Sequence, residues 1–233
     1  MSEHILSAFD RDLEAVQALV VKMGGLVEEQ ILESARALEE RDPDLAQQVR
    51  DQDKTVDALE ERINDEAARL IALRAPAARD LRMTLSVIKI SASLERVGDY
   101  AKNIAKRSQV LSDGPQINGT AAAIRRMASA VESMLKDALD AYIQRDADLA
   151  HDVRGRDIEV DQMYNALFRE FLTYMMEDPR NITPCMHLHF IAKNIERMGD
   201  HATSIAEQVI YLVTGEMPEE SRPKSSSVVK TEA

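Results

Sequence analysis

The chain has 233 residues, a formal net charge of -12, 8 glycines, 7 prolines, no tryptophan and one cysteine. Helix breakers are scarce while Ala, Leu, Glu, Arg and Met abound, which argues against a sheet protein, and the acidic balance argues against a nucleic-acid partner, which needs a basic face to release phosphate counterions. The Met1-Ser-Glu-His start lacks a secretory signal, and the most apolar stretch, Ala15 to Val27, is broken by Gln17 and Lys22, short of the roughly 18 to 20 apolar residues of a membrane span; a cytoplasmic protein without membrane insertion is expected.

Taken in order, the pattern predicts helices over residues 4–40, 43–73, 77–111, 118–144, 146–177 and 181–214. The first stops at Arg41-Asp42-Pro43, Pro76 marks the start of the third, Asp113-Gly114-Pro115 follows its end, Asp178-Pro179 separates the fifth from the sixth, and Gly215 closes the sixth. Leu13, Val16, Val20, Met23, Val27 and Ile31 step by three and four residues, as do Ile124, Met127, Val131, Met134 and Ala138, which is the spacing of one apolar helix face. Short connections make sequential neighbours antiparallel. The polar, proline- and serine-bearing tail, 216–233, is predicted to be disordered.

The chain repeats itself. RDPDLAQQVRDQDKTVD from Arg41 returns 104 residues later as RDADLAHDVRGRDIEVD, with ten of seventeen positions identical, and LERVGDYAKNIAKR from Leu94 returns 101 residues later as IERMGDHATSIAEQ, with seven of fourteen identical. The expected architecture is all-α: two tandem three-helix bundles, residues 1–114 and 115–215, each long enough to bury its own core.

Acidic residues interrupt that pattern. Leu81, Leu85, Ile88 and Ala92 continue directly into Glu95 and Asp99, beside an apolar stripe of Val87, Ile90, Leu94, Val97, Ala101 and Ile104. In the sixth helix Ile191, Ile195, Met198, Ala202, Ile205, Val209 and Leu212 form the apolar stripe, flanked by Glu196 and Asp200. The second and fifth helices carry Asp53 with Asp57 and Asp157 with Asp161. Like charges four apart destabilise an isolated helix, so a compensating cation is expected. Either metal ions provide it or Arg50, Arg96, Arg154 and Arg197 form a salt-bridge network. All-oxygen ligands suit Mg²⁺, Ca²⁺ or Mn²⁺, with iron or zinc also accessible through carboxylates. Gly98 and Gly199 stand between the acids in both halves, which calls for a close approach to the backbone there or for tight helix packing. His201 points away from Asp200 and is read as a surface or supporting residue, His151, His187 and His189 as structural, and the lone Cys185 as an inert packing residue in a reducing compartment.

The twin ERxGDxAxxIA segments from Glu95 and Glu196, the PxxxDLR segment from Pro76 to Arg82 and the DxxVD segments from Asp53 and Asp157 resemble the PhoU family, accessory regulators of bacterial phosphate uptake, over nearly all of residues 1–215. The resemblance implies two three-helix bundles whose acidic motifs hold metal clusters, with Asp53, Asp57, Glu95 and Asp99 in one site and Asp157, Asp161, Glu196 and Asp200 in the other. It implies a negative regulator of phosphate uptake and of the phosphate-starvation response, a homodimer that contacts the ATPase subunit of the phosphate ABC transporter and the phosphate sensor histidine kinase. Glu60 follows Asp57, whereas Tyr164 holds the matching place after Asp161, so the second site is expected to hold fewer ions or hold them more weakly. The PxxxDLR segment has no counterpart near Ile182, so the halves need not do the same job.

Catalysis finds no footing: no phosphate-cradling glycine loop, nucleophile elbow or zinc-protease helix is present, and a non-enzyme is expected. A di-metal carboxylate oxidase needs Glu-x-x-His on two helices, and the third residues after Glu95 and Glu196 are Gly98 and Gly199. A metal-independent helical scaffold is the live alternative.

Overall fold

The computed structural model describes residues 2–115 and 117–218. Six α-helices run through them, α1 Ser2–Glu40, α2 Pro43–Arg74, α3 Arg79–Leu111, α4 Thr120–Gln144, α5 Ala147–Glu177 and α6 Ile182–Thr214, with a short 3-10 turn, Pro179–Asn181, before the last. All six expected helices are present, their ends shifted by at most two residues. The expected disordered tail lies, from residue 219 onward, outside the described residues.

The repeated RD-x-DL segment makes the same joint twice. Arg41 and Arg145 adopt left-handed backbones, φ 56° and 55°, and the next amide reaches back five residues, Asp42 N to Ala37 O and Asp146 N to Ala141 O, each at 3.0 Å. That is the Schellman closure of a helix C-terminus. Asp42 and Asp146 then cap the following helix, each side chain accepting from two backbone amides, those of Asp44 and Leu45 and those of Asp148 and Leu149. A four-letter motif thus ends one helix and starts the next.

The other joints differ. Ala75, forced out of the helical region by Pro76, and Ala78 both have positive φ, 44° and 47°, so α3 starts at Arg79, two residues beyond the expected start. Between α5 and α6, Asp178 instead caps the 3-10 turn by accepting from Arg180 N. The Arg41 guanidinium donates to the carbonyls of Leu111, Ser112 and Gly114, placing a cation on the negative end of α3.

Within each half the outer helix packs on two others, α2 on α1 and α3, α5 on α4 and α6. The halves then join through α3 against α6 and α1 against α4. The α3–α6 pair is antiparallel: Arg82 lies over Tyr211, Tyr100 meets His201, and Arg107 lies over Phe190. On the other seam Arg125 pairs with Glu39 at 2.5 Å.

Every residue of the α1, α4 and α6 stripes named above is buried, and so is the second α3 stripe from Val87 to Ile104. The apolar side chains of both halves form one continuous core. The repeat boundary at 114/115 therefore separates two sequence copies without separating two cores. The physical reason shows in α6, where Ala192, Ala206 and Ile210 are buried beyond the expected stripe; a helix held between two bundles needs more than one apolar face.

Candidate functional site

The stripe that runs from Leu81 to Asp99 is a flank rather than a core face: Leu85 and Ala92 are exposed, and Glu95 and Asp99 lie half-buried along its edge. Facing them across the α2–α3 seam are Asp53 and Asp57. Burial raises Asp57 above the ordinary carboxylate range, with further upward pushes from Asp53, Asp99 and Glu60. Burial also raises Glu95, followed by Asp99 and, more weakly, Asp57. The four acids expected in the first site are brought together.

Positive charge is already among them. Lys102 Nζ lies 2.5 Å from Asp53 Oδ2 and 3.6 Å from Asp99 Oδ1, and the hydrogen bond to Asp53 holds the lysine above its ordinary value. Arg96 reaches Glu95 at 3.5 Å and Asp99 at 3.6 Å. Asp53 itself is 1% exposed, and its Oδ1 finds no hydrogen-bond partner among the described residues. Leaving a buried acceptor unmatched costs about 1–3 kcal/mol.

The second site is arranged differently. Burial raises Glu196, with Asp200 and Asp161 adding to the rise and Lys193 opposing it. Lys193 Nζ donates to Glu196 Oε1 at 2.6 Å and sits 5.1 Å from the centre of the Tyr164 ring, a cation–π geometry. Tyr164 thus takes the place Glu60 holds in the first half, where Glu60 accepts from Asn64. Asp157 Oδ1 approaches Gly199, 3.6 Å from where a Cβ would stand. Glu196 Oε2, like Asp53 Oδ1, is buried without a partner among the described residues.

Of the two readings of the glycines, packing explains both. A Cβ on Gly98 would stand 3.2 Å from Gln30 Oε1, 3.3 Å from Val56 Cγ1 and 3.6 Å from Asp53 Oδ1, and one on Gly199 3.4 Å from Val160 Cγ1. The outer helices press on these backbones.

The arginines considered as counter-ions have varied partners. Arg96 joins the first site, but Arg50 donates to Gln47 and Gln109, Arg154 pairs with Glu207, and Arg197 lies over Tyr100. The lysines escaped notice because the repeat does not preserve them. Lys102 aligns with Thr203 and Lys193 with Ala92. Gln30 escaped for the same reason: it aligns with Met134 across the 104-residue offset, yet it is fully buried in the first half with both amide atoms unmatched among the described residues.

Cys185 is fully buried. His201 packs its ring 5.8 Å from that of Tyr100, and His189 lies among Tyr164, Phe168 and Phe190, its basicity lowered by burial. His187 lies 3.4 Å from Arg107, and His151 is exposed.

Among the described residues no three His, Cys, Asp or Glu side chains converge as a ready-made ion cage. The donor chemistry nonetheless fits a hard cation: oxygens only, drawn from two helices, with one buried oxygen in each site lacking a partner. No helix of the described residues is long and apolar enough to cross a membrane.

Comparison with known proteins adds a lineage. The PhoU domain model matches residues 20–108 and again 124–209. The chain is 48% identical over 224 residues to the phosphate-specific transport system accessory protein PhoU homolog of Caulobacter vibrioides, covering 96% of this chain and 97% of that one. It is also 48% identical to the homolog of Rhizobium meliloti, covering 95% and 93%. Among solved structures, PhoU from Pseudomonas aeruginosa superposes with a TM-score of 0.87 at 42% identity, covering 89% of this chain and all of that one. The phosphate transport system regulatory protein PhoU from Streptococcus pneumoniae gives 0.83 at 29%, covering 91% and 99%.

Proposed function

The chain belongs to the PhoU family, and on that premise we propose that it is an accessory protein of a phosphate-specific transport system, acting without catalysis of its own. Its role is to restrain phosphate uptake and the phosphate-starvation response, as a cytoplasmic homodimer that links the transporter's ATPase subunit to the phosphate sensor kinase. The support is the likeness to named accessory proteins along almost the whole chain, through both repeats. Deleting the gene from its host tests the role: in ample phosphate, uptake and a starvation reporter should both rise and return to normal when the gene is restored. Unchanged uptake and reporter would overturn it. Capture of the purified ATPase subunit and kinase by this chain checks the partners, and sedimentation checks the dimer.

The same reading makes the two acid clusters cation sites, held by Asp53, Asp57, Glu95 and Asp99 and by Asp157, Asp161, Glu196 and Asp200, for Mg²⁺, Mn²⁺, iron or zinc. A bound ion would supply positive charge between the paired helices. The buried, unmatched oxygens of Asp53 and Glu196 support it. Dialysis of the untagged protein against each metal, beside an Asp99→Ala, Asp200→Ala double variant, should give at least one ion per chain, reduced in the variant. A metal-independent scaffold is favoured instead by one observation, the lysine already seated in each cluster, and it predicts no stoichiometric metal.

A further inference from the structure

The floor of the first cluster carries one polar side chain, Gln30, that the second lacks. Gln30 comes from α1, Asp53 from α2, and both set an oxygen against Gly98 on α3: Gln30 Oε1 lies 3.2 Å and Asp53 Oδ1 3.6 Å from the point where a glycine Cβ would stand. Both residues are buried, and neither oxygen is matched by a donor among the described residues. Two buried oxygens left unmatched beside the same backbone are available as two of the roughly six to eight ligands that a hard cation takes. Lys102 binds the other oxygen of Asp53 while its side chain stays 42% exposed, so the ammonium can swing out into solvent without repacking the core.

We propose that Lys102 is a displaceable, built-in cation of the first cluster, and that a divalent cation replaces it on Asp53, with Gln30 Oε1 as an additional neutral ligand. This rests on the reading of the clusters as cation sites. Four carboxylates against Lys102 and Arg96 leave negative charge uncompensated, so exchanging one positive charge for two is favourable. The lysine keeps the cluster folded when metal is scarce and sets the threshold above which metal enters. The second half has Thr203 in place of Lys102, its hydroxyl donating to the Gly199 carbonyl, and Met134 in place of Gln30. It therefore has neither the displaceable ammonium at this position nor the amide ligand, and the two sites fill by different rules.

Mn²⁺ binding to the chelator-stripped full chain, followed by the paramagnetic resonance of free Mn²⁺, tests this with Lys102→Met and Gln30→Met. Removing the competing ammonium should tighten one site about tenfold, equivalent to about 1.4 kcal/mol. Gln30→Met should weaken that same site by a similar factor and leave the other unchanged. A Lys102→Met protein that binds no tighter, or a Gln30→Met protein that binds as well as the parent, overturns the proposal. If Lys102→Met unfolds without metal, saturating Mn²⁺ should restore its helical circular dichroism, and failure to do so also overturns it. Binding that is lost in Asp57→Asn, Asp99→Asn yet indifferent to Lys102 and Gln30 leaves the cation reading standing and this proposal refuted. No Mn²⁺ binding in any variant refutes both.

Discussion

The two carboxylate clusters descend from the same two repeated segments and present the same pattern of four acids, but a lysine reaches each from an opposite side. In the first, Lys102 enters one turn beyond the acids of α3 and reaches down to Asp53 on α2, which is fully buried. In the second, Lys193 stands one turn before them, binds Glu196 on its own helix and rests on Tyr164. Duplicated acids constrain where positive charge is needed, and they leave open which neighbouring position supplies it.

The largest expected effects test how far the halves are one body. Leu94→Ala and its counterpart Ile195→Ala each empty a fully buried site and should cost about 2–5 kcal/mol in urea unfolding. Because both sites belong to one core, each variant should still unfold in a single transition. Two separated transitions would show that the halves hold themselves together independently.

The lysines come next. Lys102→Ala leaves the buried Asp53 carboxylate without its cation and should cost about 3 kcal/mol, the lower end for a broken buried pair because the lysine itself is partly exposed. Lys193→Ala breaks a pair within one helix whose carboxylate is less deeply buried than Asp53, and should cost about 1 kcal/mol. Equal losses in denaturant titrations would erase the distinction drawn between the sites.

Glycine substitutions sharpen it on a smaller scale. Gly98→Ala meets Gln30 and Val56 at 3.2 and 3.3 Å, and the overpacking should outweigh the helix gain for a net loss of about 1 kcal/mol. Gly199→Ala, with 3.4 Å to its nearest neighbour, should fall close to neutral. Gly25→Ala and Gly155→Ala meet nothing within 4 Å and should stabilise by up to about 1 kcal/mol. Thermal melts of the four variants give the ranking.

The smallest effect is with pH. Asp57, Glu95 and Glu196 are raised in the folded protein, chiefly by burial, so the native state binds more protons than the unfolded chain between the ordinary carboxylate value and the raised one. Stability should therefore increase as pH falls from neutral through that window. Asp51 and Asp178 are lowered, mainly by side-chain hydrogen bonds from Gln47 and from Arg180 respectively, and their contribution is lost only below the ordinary value. Glu95→Gln and Glu196→Gln should each flatten the rise in denaturation measured from pH 7 downward, and an unchanged profile would mean that the clusters are screened by solvent.

The sequence by itself determined the six helices, their joints and the eight clustered acids. Those depend on local rules: apolar spacing, the Asp42 and Asp146 caps, proline placement and i, i+4 geometry act within one or two helical turns. The repeat also exposed the symmetry, since duplication leaves a fixed offset that can be read along the chain. Tertiary structure alone decided the rest. Whether Leu85 or Val87 faces the core, whether two bundles share that core, and whether Lys102 meets Asp53 depend on helices about 50 to 100 residues apart in the chain. Gln30, Asp53, Gly98 and Lys102 come from three helices, and no periodicity along any one of them records that packing brings Gln30 beneath the acids or lets Lys102 reach Asp53.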